Sequence, residues 1–334
     1  MGPTGNIRGA QIHPSRQCNL RCQHCYSSSS PDVDEAMPIS LLSSLIDDLA
    51  AENYDWVSFS GGEPLLYKSL PYALERSKAV GLNTAIATNG MLLTEERLNH
   101  IQGLVDIIAI SLDGVPASHN KMRSSTKAFD TMDKRLDGLH KKNIPFGFIF
   151  TLTQYNLDEL EWVVNYAIEK GARLLQVHPL SGAGYAKNGL LDAVPDAIES
   201  AYGWLLSQQI QKQLGGRLSI QVDITCSEAA LSQPDSFFCS DDANSSENAS
   251  LGDLLSPLII ESDGTVSPLQ YGFPKAYSLG NINDNSLKEL ARQWKRSGKN
   301  QFDDLCRHTH SKILDREEPY FFNWYDEISR MGVA

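Results

Sequence analysis

RQCNLRCQHCY, residues 16–26, puts three of the chain's six cysteines, Cys18, Cys22 and Cys25, within eight residues. Clustered thiols in a reducing compartment point to metal binding or catalysis rather than disulfides. Three readings compete. A structural zinc site normally takes four ligands in pairs such as C-x2-C and H-x3-H; His24 as the fourth would lie between two of the cysteines, and adjacent residues rarely reach one tetrahedral centre. A redox pair needs two thiols, not three. An iron–sulfur cluster is held by thiolates, and three of them leave one iron with the open position that a catalytic metal needs.

The cysteines directly follow an apolar segment, IRGAQIH (7–13), the first of six short strand-like runs. The others are WVSFS (56–60), LNTAIAT (82–88), VDIIAIS (105–111), FGFIFTL (146–152) and RLLQVHP (173–179). Helical apolar periodicity separates them at 38–52, 68–80, 94–102, 127–142 and 156–170. Such alternation predicts parallel strands joined by right-handed crossovers. An open or partly closed α/β barrel and a doubly wound sheet both satisfy it. In barrel-like α/β folds a loop at the C-terminal end of a strand lies on the active-site face.

C-x3-C-x2-C with a ring-bearing residue, His24, before the last cysteine resembles the radical S-adenosylmethionine (SAM) enzymes. SGGEP (60–64), TNG (88–90) and SLDG (111–114) strengthen the likeness, since they close the second, third and fourth strand candidates in the family's order. The resemblance covers about residues 7 to 180. It implies a partial (β/α)6 TIM-like barrel, an α/β fold, with a radical SAM core over 7–185. It also implies one [4Fe–4S] cluster on Cys18, Cys22 and Cys25, with SAM as the ligand of the fourth iron. The implied SAM contacts are His24, Gly61, Gly62, Glu63, Asn89, Ser111, Arg123 and Gln176.

These residues also carry readings of their own. Gly61 and Gly62 let the backbone approach a ligand where a Cβ would clash. Glu63 is an acceptor suited to an ammonium group, or a carboxylate favoured at a helix N-terminus. Asn89–Gly90 reads equally as a plain turn, and Asp113 as a structural turn residue. Arg123 offers a fork to a carboxylate or is an exposed loop arginine. His178, at the end of the sixth strand, faces the expected site as a catalytic candidate or is a hydrogen-bonded structural histidine. Gln176, two residues earlier, shares its face.

After residue 180 the rhythm changes. SGAGYAKNG (181–189) reads as a loop, 194–214 as a long helix and RLSIQVDI (217–224) as a strand. SDDANSSENAS (240–250) reads as a mobile loop. LIIESDGTVSPL (258–269) reads as a hairpin turning at Asp263–Gly264, and 285–297 as a final helix before an aromatic tail, YFFNWY (320–325). This half, 186–334, resembles the smaller α+β SPASM extension of peptide-modifying radical SAM enzymes. Where a hallmark cysteine would stand there is Leu269, and no C-x2-C follows. The extension is therefore expected to keep its scaffold without auxiliary clusters. Cys226, Cys239 and Cys306 remain as candidate hydrogen-atom donors to a substrate radical, or as unliganded cysteines.

The composition bounds the function. Of 334 residues 41% are hydrophobic, enough for a large core, and the net charge of -12 speaks against nucleic acid as the main partner. No apolar run is long enough to span a membrane and no secretory signal is visible, so a cytoplasmic protein is expected. The resemblance implies an enzyme that cleaves SAM and abstracts a hydrogen atom from a precursor peptide, leading to fragmentation, splicing, epimerisation or cross-linking. The segment before residue 7 is too short for a leader-binding module, so a separate leader-binding protein or a direct hold on the barrel is expected. An electron donor such as flavodoxin or ferredoxin is a further implied partner. The competing readings are modification of a nucleoside, sugar or other small metabolite, and a non-enzymatic iron–sulfur or zinc scaffold.

Overall fold

A computed structural model describes residues 7–234, 237, 249–316 and 320–333. All six expected strands form: β1 (Gly9–Ile12), β2 (Trp56–Phe59), β3 (Asn83–Thr88), β4 (Ile107–Ser111), β5 (Phe146–Leu152) and β6 (Leu174–Pro179). Each pairs in parallel with the next. The helices between them are α1 (Ile39–Ala51), α2 (Leu70–Ala79), α3 (Glu95–Ile101), α4 (Pro116–Met122), α5 (Ala128–Lys141) and α6 (Leu160–Glu169). Their apolar spacing explains their seating. In α1, Leu42, Leu45, Ile46 and Leu49 recur at three and four and are the buried residues. The strands alternate: Ile12, Phe59, Ile86, Phe148, Phe150 and Val177 are fully buried beneath the helices, leaving the intervening residues on the other face.

The sheet continues past the expected end of the repeat. After α7 (Ala197–Leu214), β7 (Ser219–Val222) pairs in parallel with β6. The long helix starts at a capping box, Asp196 with Glu199, and ends at left-handed Gly215. Two short elements follow, β8 (Thr225–Cys226) and α8 (Ser227–Ser232), and later α9 (Leu251–Leu254). The expected hairpin is β9 (Leu258–Ile260) with β10 (Thr265–Pro268). β9 also joins β1 in parallel, and β11 (Gly280–Asn281) pairs with β10. The result is an open ten-stranded sheet in the order β11-β10-β9-β1-β2-β3-β4-β5-β6-β7.

Two expectations change. The helix at 285–297, observed as α10 (Leu287–Ser297), is not the last: α11 (Lys299–Leu314) follows, and α12 (Trp324–Val333) comes after β12 (Phe321–Phe322). The aromatic tail is thus part of the fold, with β12 antiparallel to β8 and Phe322 and Trp324 buried. α4 also had no counterpart in the sequence reading. The loop expected at 240–250 and Cys239 fall outside the described residues, apart from 249–250. A single hydrophobic cluster runs through both halves, from Ala10 to Ile328.

Candidate functional site

The cysteine loop leaves β1 and is stapled to itself: Cys18 N–H donates to the Ser30 carbonyl (3.1 Å), and Ser30 N–H to that of Arg16 (3.3 Å). The turn after β2 then docks on it. Gly62 N–H donates to the Ser15 carbonyl and Glu63 N–H to that of Gln17, both at 2.9 Å. A Cβ on Gly62 would lie 2.1 Å from the Gln17 oxygen, and one on Gly61, at φ +106, 2.4 Å from that of Ser15. The glycines allow close approach to the chain's own cysteine loop, and both also line the cavity described next. The loop after β6 seats on the other side, where Tyr185 N–H donates to the Cys25 carbonyl (2.9 Å).

Each of the three thiols receives an N–H. Leu20 N–H points at Cys18 Sγ (3.4 Å), Ser29 N–H at Cys25 Sγ (3.3 Å), and Arg123 Nη1 at Cys22 Sγ (3.6 Å). Burial pushes the Cys18 thiol up to about 12 against the Leu20 N–H, and raises Cys22 against the nearby Arg123. N–H donors to sulfur are what a bound thiolate needs. Among the described residues no three His, Cys, Asp or Glu side chains converge closely enough to share one metal ion. Three thiolates on one loop, each met by an N–H, are the ligand set that a cluster with one open iron takes. The donor set therefore fits a [4Fe–4S] cluster.

Cys18, Cys22 and Cys25 line a cavity of about 490 Å³. His24, Gly61, Gly62, Asn89, Ser111, Arg123, Gln176 and His178 also line it, so nearly all the residues singled out in the sequence come together. Strand register explains this: Ser111, Ile149, Gln176 and Gln221 form a cross-strand row, bridged by Gln176 Nε2 donating to Gln221 Oε1 (3.2 Å). Asn89 Nδ2 donates to Asn19 Oδ1 (2.9 Å), while its own Oδ1 accepts from Met91 N–H (3.0 Å).

Glu63 stands apart from the cavity. It is buried, accepting from Thr88 Oγ1 (2.8 Å), Asn89 N–H (2.9 Å) and Leu65 N–H (3.1 Å). It thus ties the β2 turn to the end of β3 and caps a short 3-10 turn, nearer to the helix-terminus reading than to an ammonium contact. Arg123 is buried rather than exposed: its Nε and Nη2 donate to the two carboxylate oxygens of Asp113 at 2.5 and 3.1 Å. His24 and His119 also approach Asp113, at 3.5 and 3.7 Å. Burial opposes ionisation of Asp113, yet Arg123 holds its carboxyl far below the usual range. His24 Nδ1 is buried without a hydrogen-bond partner and belongs to a residue lining the cavity, a polar atom left for a ligand.

The cavity also contains groups the sequence reading missed. Asp223, just past β7, continues the ladder through its N–H to the Val177 carbonyl (3.0 Å), and its carboxylate meets His178 Nδ1. Burial lowers the His178 pKa, but the Asp223 charge and hydrogen bond outweigh it and raise it overall. Asn323, Tyr325 and Asp326 reach the cavity around the start of α12, beside Gln270 and Tyr271 after the hairpin. Burial pushes Asp326 up to about 6, against a hydrogen bond from Ser181. Asp223 was within reach of the sequence, ending a strand correctly placed; nothing local marks Asp326. Cys226 and Cys306 do not line the cavity: Cys226 pairs β8 with β12, and Cys306 is buried in α11 within the main core.

Residues 12–167 match the Radical SAM superfamily. Among curated proteins the chain is similar to Fe-coproporphyrin III synthase of Methanosarcina barkeri, 30% identical over 44% of this chain and 37% of that one. It is also similar to the sporulation killing factor maturation protein SkfB of Bacillus subtilis, 25% identical over 52% and 42%. The chain thus spans less than half the length of these relatives. In fold it is similar to native anSMEcpe with bound AdoMet and Kp18Cys peptide, at a TM-score of 0.66 and 18% identity, covering 97% of this chain and 95% of that one. Residues 12–167 are thus a Radical SAM domain, and the enzymes of that superfamily, varied in reaction type, use a [4Fe–4S] cluster and S-adenosylmethionine.

Proposed function

We propose that this protein is a cytoplasmic radical SAM enzyme that modifies a ribosomally made precursor peptide. The observation carrying the chemistry is the set of three clustered thiols, each faced by an N–H donor, in the lining of a cavity that strand-end polar residues also line. Cys18, Cys22 and Cys25 would hold the cluster, and SAM would lie against the Gly61–Gly62 turn, Asn89, Ser111, Gln176 and His24. Bound there, the pair supplies reductive cleavage of SAM to methionine and a 5'-deoxyadenosyl radical, which takes a hydrogen atom from the substrate. The chain's own part is to orient and enclose: the 181–189 loop covers the cysteine loop, while α12 and the turn after β10 supply further walls of the cavity.

The peptide reading is supported by the likeness to SkfB, a maturation protein, and to anSMEcpe, whose structure holds a peptide. It extends to residues 7–185 as the catalytic core and 186–334 as a SPASM-like extension without auxiliary clusters, and to a leader-binding protein and a flavodoxin or ferredoxin as partners. A small-metabolite reading has its own support, because the M. barkeri relative is named as a synthase of a porphyrin. The test is anaerobic reconstitution with dithionite and SAM. It should give about four irons per chain and 5'-deoxyadenosine, with mass changes in a peptide encoded beside the gene. No 5'-deoxyadenosine would refute the chemistry; turnover of a neighbouring small-molecule pathway's substrate instead would refute the peptide.

A further inference from the structure

We infer that Arg123 tunes the reduction potential of the cluster through its N–H···S bond to Cys22, with Asp113 as the residue that positions it. The inference rests on the reading that Cys18, Cys22 and Cys25 carry an iron–sulfur cluster. Arg123 is 9% exposed, Asp113 1% and Cys22 8%, so the three groups meet away from water. Asp113 takes the Nε and Nη2 edge of the guanidinium as a fork, at 2.5 and 3.1 Å, which leaves Nη1 aimed at the sulfur, 3.6 Å away. A bidentate clamp removes the rotamer freedom that a lone arginine would have, so the donor stays on the sulfur.

Asp113 is itself held. Asn156 Nδ2 donates to its carbonyl (3.0 Å), and its N–H donates to His119 Nδ1 (3.2 Å). Two further segments of chain thus fix one contact to a ligand atom. Because the carboxylate offsets the guanidinium charge, the pair presents the cluster with a directed N–H rather than a net positive charge. Hydrogen bonds to cluster sulfurs withdraw electron density and raise the potential, easing the one-electron reduction that SAM cleavage requires. This role differs from a hold on the SAM carboxylate, the role the family resemblance implies, because it acts before SAM binds.

The test uses the full chain, reconstituted anaerobically, with the midpoint potential read by EPR during a dithionite titration in the absence of SAM. Arg123→Lys keeps the charge and loses the fork. The double substitution Arg123→Met with Asp113→Leu removes the pair without changing net charge or stranding a buried ion. Both variants are expected to retain the wild-type iron content and to shift the midpoint to more negative potential. An unchanged midpoint with iron retained overturns the inference, whether or not SAM affinity falls. Loss of iron in both variants also overturns it, leaving Arg123 as a structural clamp. A wild-type protein with no reducible cluster would instead refute the parent reading of the three cysteines.

Discussion

Gly62→Ala isolates the fit between the β2 turn and the cysteine loop. No left-handed φ is involved at Gly62, so an alanine is conformationally free to sit there; the obstacle is the Gln17 carbonyl oxygen 2.1 Å from the new Cβ, with the Gln17 and Arg16 carbonyl carbons at 2.6 and 2.7 Å. These are backbone atoms, so no side chain can swing away. The turn must lift, stretching the Gly62 and Glu63 N–H bonds to Ser15 and Gln17. Forced overpacking costs about 1–3 kcal/mol, and two backbone hydrogen bonds at about 0.5–1.5 kcal/mol each add a similar amount. The total is about 2–6 kcal/mol. With an unfolding entropy of about 2.1 cal/mol/K per residue, that lowers Tm by roughly 3–9 °C in a chain of this length. Differential scanning fluorimetry under anaerobic conditions measures the shift, and iron content reports whether the loop still holds its ligands. Gly9→Ala is the control, because a Cβ there meets nothing within 4 Å. A Gly62→Ala protein with wild-type Tm and iron content would refute the claim that this glycine serves chain-to-chain approach.

Removing Cys18, Cys22 and Cys25 together by alanine substitution should abolish iron binding, counted after reconstitution; retained iron would locate a cluster in the C-terminal half. The Asp326 carboxyl, raised from 3.8 to about 6, binds its proton more readily in the folded protein. Its contribution to stability is therefore greatest below about pH 4 and is lost as pH rises to 6. Asp326→Asn should remove that loss, gaining at most about 3 kcal/mol relative to wild type above pH 6, as urea unfolding at several pH values would show; parallel pH curves for the two proteins would refute it. Asp223→Asn should lower the His178 pKa, followed by NMR of labelled histidine, since the imidazolium loses its carboxylate. Asp196→Ala should cost about 1 kcal/mol by removing the α7 cap, without altering iron content.

Much of the core was legible because its signals are local. Alternation in β1 to β6, helical spacing in α1 and turn residues at strand ends are fixed by neighbours in the chain. The C-terminal strand ends then bring Cys18, Gly61, Asn89, Ser111 and Gln176 together without further information. What escaped depends on distant partners. The burial of Arg123 follows from Asp113 ten residues earlier and Cys22 a hundred away, which no periodicity reports. Glu63 became a buried tie because Thr88 and Asn89 supply donors to it. α11 was missed because its buried face of Phe302, Leu305, Cys306, Thr309 and Ile313 is diluted by charged and polar neighbours. Asp326 reaches the cavity only because β12 pairs with β8.

The same dependence gives the C-terminal hairpin a task of its own. β9 hydrogen-bonds in parallel along β1 from Ala10 to Ile12, and His13 N–H, immediately after β1, donates to the Ile260 carbonyl (2.9 Å). Without the hairpin, β1 would be an edge strand with unpaired backbone groups, and the loop carrying Cys18, Cys22 and Cys25 would start from a free end. Leu269, at φ +64 and nearly buried, lines the cavity directly after the hairpin, followed by Gln270 and Tyr271. Tyr271 packs against His13 and Tyr26 at 4.8 and 5.6 Å between ring centroids. The hairpin thus supports the first strand and supplies a wall of the cavity, and both tasks persist whether or not position 269 carries a thiol.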